Sequence, residues 1–141
     1  MKVSVVIPAS PERVWADLRH VGSHVEWMDD AVAIRITSAV REGVGTAFDC
    51  DTRVGPFTLT DKMVVTEWRE GAAMGIRHTG LVTGTGRFTL TRRGRRATRL
   101  CWEEKLVFPW WMGGPVGALI GIQALRRVWR RNLRNLRARF A

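Results

Sequence analysis

From Pro115 onward, apolar residues recur at steps of three and four: Ala118, Ile122, Leu125, Trp129, Leu133, Leu136 and Phe140. That spacing is the stripe of one amphipathic helix. The opposite face carries Arg127, Arg130, Arg131, Arg134 and Arg137. Proline suits a first helical position, because its missing N–H would have no intrahelical partner there. The loop 109–114, with Pro109, Trp110, Trp111, Met112 and two glycines, leads into it. A helix over residues 116–140 spans roughly 37 Å at about 1.5 Å per residue. So long a stripe needs a broad apolar partner, and that need constrains the rest of the chain more than any other feature.

The preceding residues read as that partner. Val3, Val5 and Ile7 alternate as in a strand. Ser10 is placed as a helix N-cap and Pro11 as the first helical residue, with Val14, Trp15 and Leu18 on one face. Gly22 interrupts, and a second short helix or turn is expected over 25–29, with Trp27 and Met28 as its apolar residues. Val32, Ile34 and Ile36 alternate next. Gly43 and Gly45 mark a turn, and a run of hairpins follows over 46–53, 57–68, 73–79, 82–91 and 97–108.

Strand pairing tests this reading, because a slip of one residue turns every side chain to the other face. A turn at Glu70-Gly71 sets Val65 opposite Ile76 and Met63 opposite His78. Closing at Thr79-Gly80-Leu81 sets Ile76 by Gly84. Closing the arginine tip between Thr91 and Ala97 sets Phe88 by Leu100 and Glu104 by Gly84. A turn over Arg53 to Pro56 sets Asp61 by Phe48. One continuous apolar face results: Phe48, Phe57, Leu59, Met63, Val65, Met74, Ile76, Val82, Phe88, Leu90, Leu100, Trp102 and Leu106. The expected architecture is α+β, with about seven antiparallel strands in a curved sheet, two short helices, and a long C-terminal helix that the sheet wraps. All 141 residues are expected to form one domain.

Composition narrows the function classes. A hydrophobic fraction of 45% suits a folded chain, and the seven Trp and five Phe suit either a Trp-rich core or a cavity for a greasy ligand. The net charge is +10, concentrated on the last helix and in Arg92, Arg93, Arg95, Arg96 and Arg99. It points to solvated surface or to an anionic partner. Cys50 and Cys101 form no spacing motif, so neither a disulfide framework nor a metal site is expected. His20 and His24 are four apart but read as surface residues. The first apolar run is too short for a signal peptide, and the expected location is cytoplasmic. Residues 106–125 carry no charge and reach transmembrane length, but two prolines and four glycines and the continuing stripe favour a buried helix.

The pattern resembles the SRPBCC superfamily, also called START-like or helix-grip, and within it the polyketide cyclase/dehydrase and lipid-transport members. The residues that carry the resemblance run from Val5-Val6-Ile7-Pro8-Ala9-Ser10-Pro11-Glu12-Arg13-Val14-Trp15 through Trp27 to Gly43-Val44-Gly45-Thr46. They continue in Val65-Thr66-Glu67-Trp68, Gly84-Thr85-Gly86-Arg87-Phe88 and residues 98–109. The resemblance covers the whole chain without a catalytic signature. It implies a helix-grip fold and a small hydrophobic ligand (lipid, polyketide or aromatic) between sheet and long helix, with no cofactor. It also places Trp27, Met28, Trp110, Trp111 and Met112 in the segments flanking the cavity mouth. From the inward face, Phe48, Phe57, Met63, Met74, Phe88 and Trp102 join Trp27, Met28, Trp110 and Met112 as candidate ligand contacts.

Three ionisable residues, Asp61, His78 and Glu104, fall on the apolar phase of the strands. A carboxylate beside an imidazole in an apolar pocket suits acid/base catalysis, here cyclisation or dehydration; a structural ion pair is the plainer alternative. Gly84, Gly86, Gly117 and Gly121 either admit neighbours or leave open volume. An alternative function is a peripheral module that meets an anionic membrane through the basic helix and the Trp110-Trp111 loop. Nucleic acid binding is disfavoured, because no recognised module presents an aromatic–basic surface.

Overall fold

A computed structural model describes every residue except Gly55, and every side chain except those of Val54, Phe57, Met112 and Ala118. Seven strands form one antiparallel sheet: β1 (Lys2–Ile7), β2 (Ala31–Ile36), β3 (Ala47–Val54), β4 (Phe57–Arg69), β5 (Ala73–Thr79), β6 (Thr83–Arg92) and β7 (Thr98–Val107). Their order across the sheet is β1-β7-β6-β5-β4-β3-β2. Consecutive strands from β2 to β7 are therefore neighbours, and β1 returns to the β7 edge. Helix α1 (Pro11–Leu18) follows β1, and α2 (Gly114–Ala138) closes the chain. The curved sheet with its long terminal helix is the helix-grip fold expected from the sequence.

Local chemistry sets the ends of the elements. Ser10 has extended backbone, and its hydroxyl accepts the Arg13 N–H at 3.3 Å, which caps α1. Val14, Trp15 and Leu18 then turn inward. Helix α2 begins after Gly113, whose φ of +103° favours glycine, with Pro115 in its first turn. Its 25 residues run roughly 37 Å. Trp129, Leu133 and Leu136 enter the core, and Trp129 stacks on Trp102 of β7 at 4.9 Å. Among the described residues no helix is long and apolar enough to cross a membrane.

Three expectations need correction. The second short helix is a 3-10 helix at Val21–Glu26, ahead of its expected place at 25–29. Val21 and His24 are its buried residues, and a three-residue repeat suits three residues per turn. Val32 faces solvent, 53% exposed, because a bulge between Ala31 and Ala33 breaks the alternation and leaves Ala31, Ile34 and Ile36 inward. The third concerns register. Cys50 lies opposite Asp61, Ile76 opposite Gly86, Phe88 opposite Trp102 and Glu104 opposite Gly86. Each of these pairings is displaced two positions from the expected one, because the strands close on later turns. A displacement of two preserves the face, so the expected apolar set, Phe57 aside because its side chain is outside the described residues, still shares one side. Between β4 and β5 the expected pairs, Met63 with His78 and Val65 with Ile76, are found. There a three-residue turn and a one-residue bulge after Val65 offset each other.

Candidate functional site

A cavity of about 310 Å³ lies between the sheet and α2. The sheet side is built by Phe48, Met63, Met74, Ile76, Phe88 and Trp102, and α2 supplies Gly121, Ala124, Leu125 and Trp129. Met28, Asp30, Ala31 and Ile34 close a third side. Asp61, His78 and Glu104 all reach the wall. Of the expected ligand contacts, Met28, Phe48, Met63, Met74, Phe88 and Trp102 line this space. The side chains of Phe57 and Met112 lie outside the described residues. Trp27 is fully buried behind the wall, its ring centroid 6.2 Å from Phe88 and 6.3 Å from Trp102, so it props the lining instead of forming it. Trp110 is 84% exposed. The chain has left the sheet at Val107, and the indole stands clear of the cavity.

The three ionisable residues form one chain of hydrogen bonds. Asp61 on β4, His78 on β5 and Glu104 on β7 come from three strands, yet the register brings them together. The Nδ1 of His78 lies 3.0 and 2.9 Å from the two Asp61 oxygens. Its Nε2 lies 2.9 Å from Glu104 Oε2. The Trp102 indole N–H donates to Glu104 Oε1 at 3.0 Å. The strand β6 separates β5 from β7, so Glu104 must reach His78 across it. Gly86 makes that passage: a β-carbon there would sit 2.6 Å from the Glu104 carboxyl carbon. Gly86, and not the Gly84 that the expected register set opposite Glu104, therefore makes room for that side chain. Gly84 is tied to backbone geometry, with φ at +124° and the Lys105 carbonyl where a side chain would start.

Burial opposes a charge on His78, but its hydrogen bonds to Asp61 and Glu104, and then their charges, raise the imidazole to about 9. At neutral pH His78 is an imidazolium that donates both N–H groups. It has no lone pair free to take a proton, so any base at this site is a carboxylate. The imidazole lies between the two acids, so the three side chains do not converge on one point. Among the described residues no group of three His, Cys, Asp or Glu side chains is arranged to hold a metal ion.

Two functional-looking residues escaped the sequence reading. His24 is buried, not a surface residue: its Nε2–H donates to the Leu18 carbonyl at 2.8 Å, and burial pushes it down to about 4. It is neutral and lines the cavity. Its three-residue spacing from Val21 was the available signal. Asp30 also lines the cavity, and burial raises its carboxyl above the usual range. Asn132, wholly buried, donates to Asp30 Oδ1 at 2.7 Å and accepts the Asp29 N–H at 2.9 Å. An amide three residues after Trp129 and four before Leu136 sits on the apolar stripe, and a buried amide needs partners. Cys50, also on the wall, has its thiol pushed up to about 11 by burial.

The chain matches, over residues 1–141, the family described as polyketide cyclase / dehydrase and lipid transport, and it belongs to that family. No curated protein is a significant sequence match. A protein of Thermus thermophilus is similar in structure, with a TM-score of 0.79 at 16% identity, covering 99% of this chain and 95% of that one. The Zhui aromatase/cyclase of a Streptomyces species reaches 0.79 at 14% identity, over 99% of this chain and 91% of that one. A START superfamily protein of Mycobacterium smegmatis reaches 0.69 at 13%, over 96% and 97%. At such identities the likeness establishes the fold.

Proposed function

We propose that this chain binds one small hydrophobic molecule in the cavity between sheet and α2, and that Asp61, His78 and Glu104 act on it as an acid/base group. The observation that carries the reading is an apolar cavity of about 310 Å³ with a single linked carboxylate–imidazole–carboxylate chain on its wall. Pockets for small ligands have this make-up: mostly apolar walls and a small number of placed polar groups. Membership of a cyclase/dehydrase family adds weight. A carboxylate takes a proton from an acidic C–H of the ligand and gives it back to oxygen, either to the carbonyl oxygen that becomes a hydroxyl in cyclisation or to the hydroxyl that leaves as water in dehydration, while the imidazolium holds both carboxylates in place. Cyclisation or dehydration of a folded poly-carbonyl chain needs that and a cavity to fold it. Free Cys50 and Cys101 suit a reducing compartment such as the cytoplasm. Native mass spectrometry after gentle purification, with Trp fluorescence titrated by fatty acids and polyketide-like aromatics, tests binding. Failure of every probe and of any co-purified mass rejects it. For the chemistry, His78→Ala lowers turnover roughly 10²–10⁴-fold while affinity changes little. If the variant alters binding alone, the chain is a carrier.

A second reading rests on a separate surface. Trp110, Trp111, Val116, Leu119 and Ile120 are exposed on the loop before α2 and its first turns. Helix α2 carries six arginines and no acid. Indoles entering an interface beside arginines that meet anionic headgroups describe a peripheral membrane contact. Flotation with and without anionic lipid checks it: equal recovery with neutral vesicles, or none with either, rejects it.

A further inference from the structure

The protein is strongly basic, yet the cavity is not. Of its 23 Lys and Arg residues none lines the cavity, while three of its 13 acids, Asp30, Asp61 and Glu104, do. The side chains outside the described set are all apolar, so they add no hidden cation. Hydrogen-bond counting sharpens the contrast. Two carboxylates offer about eight lone-pair sites between them. The N–H groups already given to Asp61 and Glu104 are two from His78 and one from Trp102. That leaves about five acceptor sites at the triad with every triad N–H already donated. Asp30 adds further acceptors beyond its bond from Asn132, and neutral His24, whose Nε2–H goes to Leu18, has an acceptor and not a donor at Nδ1.

A ligand with its own acceptors would find few donors at this wall: the Thr52 hydroxyl and the Cys50 thiol, and each of these already turns toward the Cys50 or Asp51 backbone. A carboxylate or phosphate would meet three carboxyl groups with one imidazolium between two of them. Cys50 feels the same field: the charges of Asp61, Asp30 and Asp51 all add to the rise that burial causes in its thiol. Resting on the ligand-binding reading above, we infer that the cavity takes an apolar molecule whose polar end donates hydrogen bonds, an amine or a hydroxylated ring, and turns away fatty acids and phosphate-bearing lipids.

Three probes of one shape separate the possibilities: naphthylmethylamine, naphthylmethanol and naphthoate. They are titrated into the full chain by calorimetry at an ionic strength of about 0.15 M, where the Debye length is about 8 Å and exposed charges are largely screened. The amine and the alcohol bind more tightly than naphthoate by roughly tenfold or more, the factor expected for one unmade charged hydrogen bond. Surface attraction by a net charge of +10 gives the reverse order. The Asp61→Asn/Glu104→Gln double variant narrows the gap; if it does not fold, the wild-type order decides alone. Gly121→Leu, which builds a side chain into open space at the cavity wall, removes amine binding. Naphthoate binding as tightly as the amine, or amine binding that survives Gly121→Leu, overturns the inference and leaves the ligand-binding reading intact. Failure of all three probes to bind overturns the inference, and the ligand-binding reading is then decided by the co-purified mass and the fatty acid and aromatic titrations above.

Discussion

Along α2, similar apolar residues meet opposite surroundings. In the last turns Trp129, Leu133 and Leu136 are 6%, 1% and 0% exposed. In the first turns Val116, Leu119 and Ile120 are 68%, 61% and 66% exposed. The later turns put arginine wherever the stripe faces out, and Asn132 ties them to Asp29 and Asp30. The earlier turns have apolar residues and glycine all round. An amphipathic helix is held by one face, whereas a helix that is apolar all round keeps greasy surface for something else. The cavity lies beneath the change-over, where Gly121, Ala124, Leu125 and Trp129 meet it. One half of α2 thus serves stability and the other roofs the cavity and faces outward.

The largest test of that division is truncation in the anchored half. Leu133→Ala or Leu136→Ala costs about 2–5 kcal/mol, the range for emptying a full core position, read as a shift in the urea midpoint. A loss below about 1 kcal/mol breaks the comparison. The proton on His78 comes next. Its folded value of about 9 lies above the ordinary 6.5, so its contribution is complete below about pH 6.5 and is lost as pH rises through about 9. Unfolding curves across that window fall by a few kcal/mol in the wild type and stay nearly level in His78→Gln. A wild type equally stable at both ends contradicts the charged triad.

Asn132→Ala strips Asp30 of its donor and the Asp29 N–H of its acceptor, at about 1–3 kcal/mol in the same assay. In the outer half the sign reverses. A β-carbon at Gly121 meets nothing within 4 Å, so Gly121→Ala gains up to about 1 kcal/mol of helix preference. A loss there shows that the outer half packs more closely than its exposure indicates. The smallest effect belongs to Leu119→Ser and Ile120→Ser, within about 0.5 kcal/mol by thermal unfolding. A drop comparable to Leu133→Ala makes the two halves alike.

Much of this was legible in the residues. The stripe of α2, the Ser10-Pro11 start of α1 and the alternation of β6 and β7 are carried by side chains within a few positions of one another. The inward phase of Asp61, His78 and Glu104 was legible for the same reason. The outward turn of Val32 was not, because a bulge is decided by the partner strand. Nor was the burial of His24, which follows from where the 3-10 helix docks. The sequence reading put Gly84 opposite Glu104, since nothing local distinguishes two turns whose lengths move a strand by two positions.

The sequence alone determined which side of each strand is apolar, because side chains alternate with a period of two whatever the partner does. It determined the helix face on α2 in the same way, through a period of 3.6. Only the tertiary structure decided the distances. Register across β5, β6 and β7 brought Glu104 over Gly86 to within 2.9 Å of His78, on a strand that is not its neighbour. Docking of α2 decided which apolar residues became core and which stayed outside. Periodicity is a property of one segment, whereas reach and burial belong to the way segments meet, and this cavity is made wholly of such meetings.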